Sequence, residues 1–245
     1  MRRPAAGFVM ALVMCAAVGV LATTWAEKTL TCPLCGQECK LEAIASYGSY
    51  IYRWPTKLQL VFWPHTTGRA VYFCPKCHLS LWMGDFQNVP EEKREAIRKA
   101  IAPLRQDQPD KPYHEIPMTY RLRLAQAAYE QLDRDDAFWC HFHRVAGYHF
   151  DTAGQKDEAK AHRLKALVHA EKMLAAGAAE PPRKELLFVI GSMQFHAGQK
   201  QAARATLAKV KATGIPVGGA MNAEQANGYG AYLDELATEL LAKIP

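Results

Sequence analysis

Two short stretches, Cys32-Pro33-Leu34-Cys35-Gly36 and Cys74-Pro75-Lys76-Cys77-His78, are copies of one pattern. Two residues between cysteines let both sulfurs face one point. A proline inside the pair and a small residue after it suit the turn of a zinc knuckle, in which backbone N–H groups donate to the sulfurs. Two knuckles supply four thiolates, a tetrahedral set that closes a structural zinc site and leaves no coordination place for substrate or water. The predicted ligands are therefore Cys32, Cys35, Cys74 and Cys77, holding a structural Zn2+. The pairs stand 38 residues apart, more than the common spacing of about 15 to 20, and a strand-rich insertion accounts for the excess.

A Cys-x-x-Cys pair also serves thiol oxidoreductases, where a helix N-terminus lowers the thiol pKa. Both pairs here stand in strand-and-turn sequence, which fits joint ligation better; an extracytoplasmic thiol-disulfide oxidoreductase is the alternative class. Cys39 could replace a ligand or pair with Cys140, although a small buried or partly exposed thiol is the simpler reading. His78 reads as a turn residue rather than a fifth ligand. His141, His143 and His149 cluster near Cys140, and His162 and His169 lie seven apart on one helical face. Cys140 with a histidine could be drawn as nucleophile and base. No strained turn, oxyanion motif or His-Glu-x-x-His sequence accompanies them, so the histidines are assigned to wet helix faces and no catalytic residue is assigned. Asp85-Phe86, after the second knuckle, is expected to cap and seal the ribbon.

The elements that must position the cysteines come from the stretch between Lys28 and Asn88, rich in aromatic and β-branched residues, Gly and Pro. Leu58-Gln59-Leu60-Val61-Phe62-Trp63 and Ala70-Val71-Tyr72-Phe73 are the strand candidates, joined by the turn residues of Pro64 to Gly68. Pro90 with Glu91 and Glu92 opens a helix carrying Ile97 and Ile101. Pro103, Pro109, Pro112 and Pro117 then punctuate a polar linker.

Beyond Met118 apolar residues recur at helical spacing: Leu122, Ala125, Tyr129 and Leu132, then Trp139, Phe142, Ala146 and His149 or Phe150, then Ala159, Ala166, Ala170 and Leu174, then Leu186, Ile190, Met193 and Ala197. Ala153-Gly154-Gln155-Lys156 returns as Ala197-Gly198-Gln199-Lys200, 44 residues on, and the same offset aligns Gly147 with Gly191 and Ala159 with Ala203. Small residues let antiparallel helices approach and glycine ends the first helix, as in a tetratricopeptide-type hairpin. The offset exceeds the usual repeat of about 34 residues, so an extended helix or loop near Gly177 to Arg183 absorbs the difference. Ala223 to Ile244 reads as a capping helix.

A 245-residue chain, 49% hydrophobic and 22% charged, has enough apolar material for real cores and is not globally disordered. Its net charge of +6 includes Arg2 and Arg3 and is scattered among acids, so nucleic-acid binding is not expected. No residue between Arg3 and Glu27 is charged, and Gly7 to Ala22 is almost wholly apolar, the pattern of a secretory signal with Thr24-Trp25-Ala26 as cleavage site. The stretch also approaches the length of a membrane span, leaving an uncleaved anchor open. Met14 before Cys15 argues against lipidation. Export, to periplasm or beyond, is the expectation in either case.

The order of these pieces resembles the bacterial domain of unknown function 2225 family: a Cys-Pro-x-Cys-Gly knuckle (Cys32 to Gly36), a second knuckle followed by Asp-Phe (Cys74 to Cys77, Asp85-Phe86), and an Ile-Gly helix, Glu185 to Gly191, leading to Gly198. The resemblance runs from about Lys28 to Val210. Two departures are His78, where the family prefers Gly, and Cys39, where an aromatic residue is usual; neither removes a ligand. The resemblance implies a fold and zinc, and no activity.

The expected architecture is α+β: a signal peptide or membrane anchor over residues 1–26, a zinc-ribbon-like β head over 27–88, a helix and Pro-rich linker over 89–117, and an all-α tetratricopeptide-like helical-repeat body over 118–245. The expected function is that of an exported zinc-binding scaffold whose helical body binds a protein or peptide partner, touching a membrane only through an N-terminal anchor.

Overall fold

Strand-forming residues flank the first knuckle and make a hairpin of it: β1 (Thr24–Thr31) and β2 (Glu38–Ser46) pair antiparallel, with Lys28 opposite Leu41 and Leu30 opposite Cys39. The computed structural model describes residues 24–46, 55–217 and 221–245. The apolar leader and Cys15 lie outside the described residues, whereas the expected cleavage site falls within β1. Among the described residues no helix is long and apolar enough to cross a membrane.

A second, shorter antiparallel pair, β3 (Val71–Phe73) and β4 (Ser80–Trp82), flanks the second knuckle and is buried throughout. The predicted helix after Pro90 forms as α1 (Arg94–Ile101), which buries Ile97 and Ile101. Six longer helices follow: α2 (Met118–Tyr129), α3 (Asp136–Thr152), α4 (Lys156–Ala175), α5 (Arg183–His196), α6 (Lys200–Lys211) and α7 (Ala223–Ala242). Strands first and helices after is the mixed α and β order that the sequence leads one to expect.

The expected strand over Leu58–Trp63 does not form. Pro55–Gln59 is a 3-10 turn, and Leu60 takes a left-handed backbone with φ of 48°. Leu58 and Leu60 are buried among helices, while Val61 joins the core beneath the knuckles: the Leu58 carbonyl accepts from Ser192 Oγ of α5 at 2.5 Å and the Leu60 carbonyl from Arg144 of α3 at 3.4 Å. Side chains from distant helices replace the neighbouring strand that alternating apolar residues would otherwise need.

The two helical hairpins α3–α4 and α5–α6 turn identically. Gly154 and Gly198 have φ of 76° and 87°, Gln155 N donates to Phe150 O, and Gln199 N donates to Gln194 O. Gly147 stands against Arg163 just as Gly191 stands against Leu207, each pair again 44 residues from the other. The 20 residues of α4, against 12 in α6, absorb much of the long offset.

Two apolar cores meet on α3. One joins Cys32, Leu41, Phe73, Leu81 and Phe86 to Ile97, Leu122, Tyr129 and Phe142; the other joins Leu58, Leu60 and Cys140 to α4, α5, α6 and α7. Arg121 pins the first together. It is fully buried, its Nε donating to Ile116 O at 3.0 Å and its Nη1 to Gly68 O at 2.6 Å and Val71 O at 2.5 Å.

Candidate metal centre

Each knuckle is closed by the same pair of backbone hydrogen bonds. In the first, Cys32 N donates to Gln37 O at 2.8 Å and Gly36 N to Cys32 O at 2.9 Å; in the second, Cys74 N donates to Leu79 O at 2.9 Å and His78 N to Cys74 O at 2.8 Å. Both turns need a left-handed residue after the second cysteine, filled by Gly36 at φ 73° and by His78 at φ 65°. A histidine there costs conformational energy that glycine does not. Its compensation is visible: His78 is buried, and its Nδ1 lies 2.5 Å from the Tyr120 hydroxyl on α2.

The two turns bring their sulfurs together. Cys32 Sγ is 3.5 Å from Cys77 Sγ, Cys35 Sγ is 3.6 Å from Cys74 Sγ, and all four lie within 4.8 Å of one another. A disulfide needs about 2.05 Å, so the sulfurs are not paired as cystines. Four sulfurs at about 2.3 Å from a central ion stand about 3.8 Å apart in a tetrahedron, close to the spacing found. The four cysteines sequence reasoning selected are therefore the four that could hold a metal ion, and among the described residues no other group of metal-ligating side chains is so gathered.

The electrostatics call for a cation. Hydrogen bonds from Cys32, Cys39 and Cys77 hold the Cys74 thiol far below its usual range. The Cys74 sulfur in turn pushes Cys32 up to about 12, while Cys32, Cys74 and burial push Cys77 up. Backbone N–H groups of Leu34, Cys77 and Leu79 favour charge on Cys32, Cys74 and Cys77 respectively. So close a set cannot ionise in full without a positive ion among them.

Several supporting residues carried no sequence signal. Arg98 of α1 donates through Nε to the Leu34 carbonyl at 3.2 Å, with Nη2 on the same oxygen, and Arg105 donates to the Lys76 carbonyl at 3.0 Å. Tyr129 donates to Asp85 Oδ2 at 2.7 Å and accepts from Trp82 N at 2.9 Å. Asp85 also meets Arg134 at 3.2 Å, and Phe86 is fully buried, so the Asp-Phe pair does seal the second knuckle.

The remaining candidates fall elsewhere. Cys39 is buried with its Sγ donating to the Gln37 carbonyl at 3.5 Å, outside the four, and it belongs to a different core from Cys140. Burial pushes the Cys140 thiol up, against nucleophile chemistry. The histidines are not on wet faces as expected: His143, His149 and His162 are buried, His143 Nδ1 stands 2.9 Å from His162 Nδ1, and His149 Nε2 stands 2.7 Å from the His65 carbonyl. Aromatic neighbours, Phe150 stacked on His162 and Trp139 on His143, draw these rings inward.

One family model, described as an uncharacterized protein conserved in bacteria (DUF2225), matches residues 25–216, a stretch that holds both knuckles and both matching hairpins. No curated protein and no solved structure matches the chain.

Proposed function

The chain belongs to this DUF2225 family of bacterial proteins, and from that premise we propose that it is an exported scaffold whose four cysteines hold a structural zinc ion. The observation that carries the reading is the gathering of Cys32, Cys35, Cys74 and Cys77 within 4.8 Å at the spacing of a tetrahedral thiolate shell. Zinc is the natural occupant of an all-thiolate tetrahedral site, and a filled shell has no place for a substrate. The metal's role is to fasten the strand-rich part of the chain, whose two sheets among the described residues have two strands each and bury little on their own.

The division proposed is a ribbon-like head over 27–88, a connecting segment over 89–117, and a tetratricopeptide-like body over 118–245 that recognises a protein or peptide. Support for the repeat comes from the identical turns at Gly154 and Gly198 and from the matching close approaches at Gly147 and Gly191. The apolar stretch after Arg3 supports export, with the leader either cleaved or kept as an anchor. A thiol oxidoreductase finds less support, because each pair lies in a turn between strands and not at a helix N-terminus.

The test is elemental and redox analysis of protein purified from the envelope without added metal. One zinc per chain is expected, with Cys32, Cys35, Cys74 and Cys77 all alkylatable on denaturation alongside the free Cys39 and Cys140; a metal-free protein with stable cystines at the four positions overturns the proposal.

A further inference from the structure

In a helical repeat, the first helices of successive hairpins line one face, the surface such proteins offer to extended ligands. In this chain those helices are α3, α5 and α7, and the turn Pro55–Gln59 touches all three. Leu58 and Leu60 belong to the helical core, although they lie in sequence between the two knuckles.

The way the segment is held is that of a bound peptide. Its main-chain carbonyls are read by side chains: Leu58 O by Ser192 Oγ and Leu60 O by Arg144. Gln59 Oε1 accepts from Arg163 at 3.2 Å. Lys57 pairs with Glu239 at 2.8 Å and Glu235 at 3.8 Å on α7. The two leucines, with Gln59 between them, fill apolar sites among the helices, and Leu60 keeps a left-handed backbone to do so.

We propose that the α3–α5–α7 face is a peptide-reading groove occupied in cis by the chain's own strap, Lys57 to Leu60. A partner that competes for it carries the same chemistry, a basic residue followed by leucines at alternate positions, and engages only when the strap yields. This inference rests on reading the helical body as a recognition surface. Apparent affinity for such a partner equals the intrinsic affinity scaled by the fraction of molecules with the groove open, so loosening the strap must tighten binding in trans.

The experiment titrates a labelled synthetic peptide reproducing residues 55–62 into the full chain and into its Leu58→Ala/Leu60→Ala variant, both shown folded by circular dichroism and equal in metal content. The variant is expected to bind about tenfold or more tightly than the parent, and adding Glu239→Gln and Ser192→Ala to it is expected to abolish the gain. Equal binding by parent and variant, or no binding by a folded variant, overturns the proposal. Should the variant not fold, hydrogen exchange of the parent decides: Leu60 and Val61 amides exchanging through a smaller opening than the α5 amides support a strap that yields, and exchange only by global unfolding overturns it. A partner that binds the parent elsewhere, with the strap in place, sinks this inference and leaves the scaffold function standing.

Discussion

Leu34 and Lys76 occupy the same place in the two knuckles, and the carbonyl of each accepts a hydrogen bond from an arginine, Arg98 in the first and Arg105 in the second. A divalent ion with four thiolates carries a net charge of about −2, and two guanidiniums fixed beside the knuckles oppose it. Arg98→Met is expected to weaken zinc retention by about tenfold or more, in the range found when groups supporting a metal's ligands are removed. Both arginines are exposed, but Arg98 meets its carbonyl through two nitrogens in a half-buried contact while the Arg105 bond lies at the surface, where salt screens it, so Arg105→Met should cost less. Competition against a chromophoric chelator measures both, and unchanged retention in Arg98→Met would refute the charge argument.

Replacing any one of Cys32, Cys35, Cys74 or Cys77 by Ser should abolish stoichiometric metal, whereas Cys39→Ser and Cys140→Ser should keep it. The core that contains Cys32 and Cys74 extends into α2 and α3, so chelation should lower the melting temperature of helix as well as strand signal. Metal analysis with thermal melts at 222 nm checks this; a variant lacking Cys39 that loses its metal would move that sulfur into the ligand shell.

His78 joins the second knuckle to α2. His78→Gly relieves the left-handed strain, about 1–2 kcal/mol, while forfeiting the bond to Tyr120, about 1 kcal/mol, and should be nearly neutral. His78→Ala keeps the strain and loses the bond, so it should destabilise by about 1 kcal/mol or more. Urea midpoints order the two variants, and an alanine more stable than glycine would refute the account.

The parts legible in the sequence are those set by local chemistry. Cys-x-x-Cys spacing picked the four sulfurs, and the recurrence around Gly154 and Gly198 picked the hairpins, because each depends on residues within a turn or two. The strap was misread for the opposite reason. Leu58, Leu60 and Phe62 alternate as in a strand, yet the donors that satisfy the carbonyls of Leu58 and Leu60 come from Arg144 and Ser192, far along the chain. Arg121 and the buried histidines were missed likewise: polar residues signal solvent until a fold supplies three carbonyls for one guanidinium.

Those histidines make the fold acid-sensitive. Burial holds His65, His149, His162 and His196 down at about 4 and His143 at about 3, against about 6.5 in an unfolded chain. Between these values the unfolded chain binds more protons than the folded one. Stability is thus fully present above about pH 6.5, falls as pH drops toward 4, and loses nothing more from these groups below about 3. The slope is on the order of 1.4 kcal/mol per pH unit for each proton taken up. Urea titrations from pH 7.5 to 4.5, with metal content followed in parallel, test it. His162→Phe should reduce the proton uptake by about one, and an unchanged slope would contradict the assignment.

The close approach of α5 and α6 at Gly191 gives the sharpest test of the helical packing. A Cβ built there would lie 2.7 Å from Leu207 Cγ and 2.8 Å from Cδ2, nearer than carbon atoms pack. In an exposed helix Gly→Ala stabilises by about 1 kcal/mol. Overpacking costs about 1–3 kcal/mol, so Gly191→Ala should be neutral to destabilising, by up to about 2 kcal/mol. At Gly147 the contact is Arg163 Cγ at 3.0 Å, a longer approach, although to a buried side chain held by Asp151 and Gln59, and Gly147→Ala should fare somewhat better. Leu207→Ala alone leaves a cavity, but combined with Gly191→Ala it gives the new methyl room. The double variant should therefore lose less stability than the two single losses added together, by about 0.5 kcal/mol or more. Strict additivity would mean that the helices already stand apart at this point.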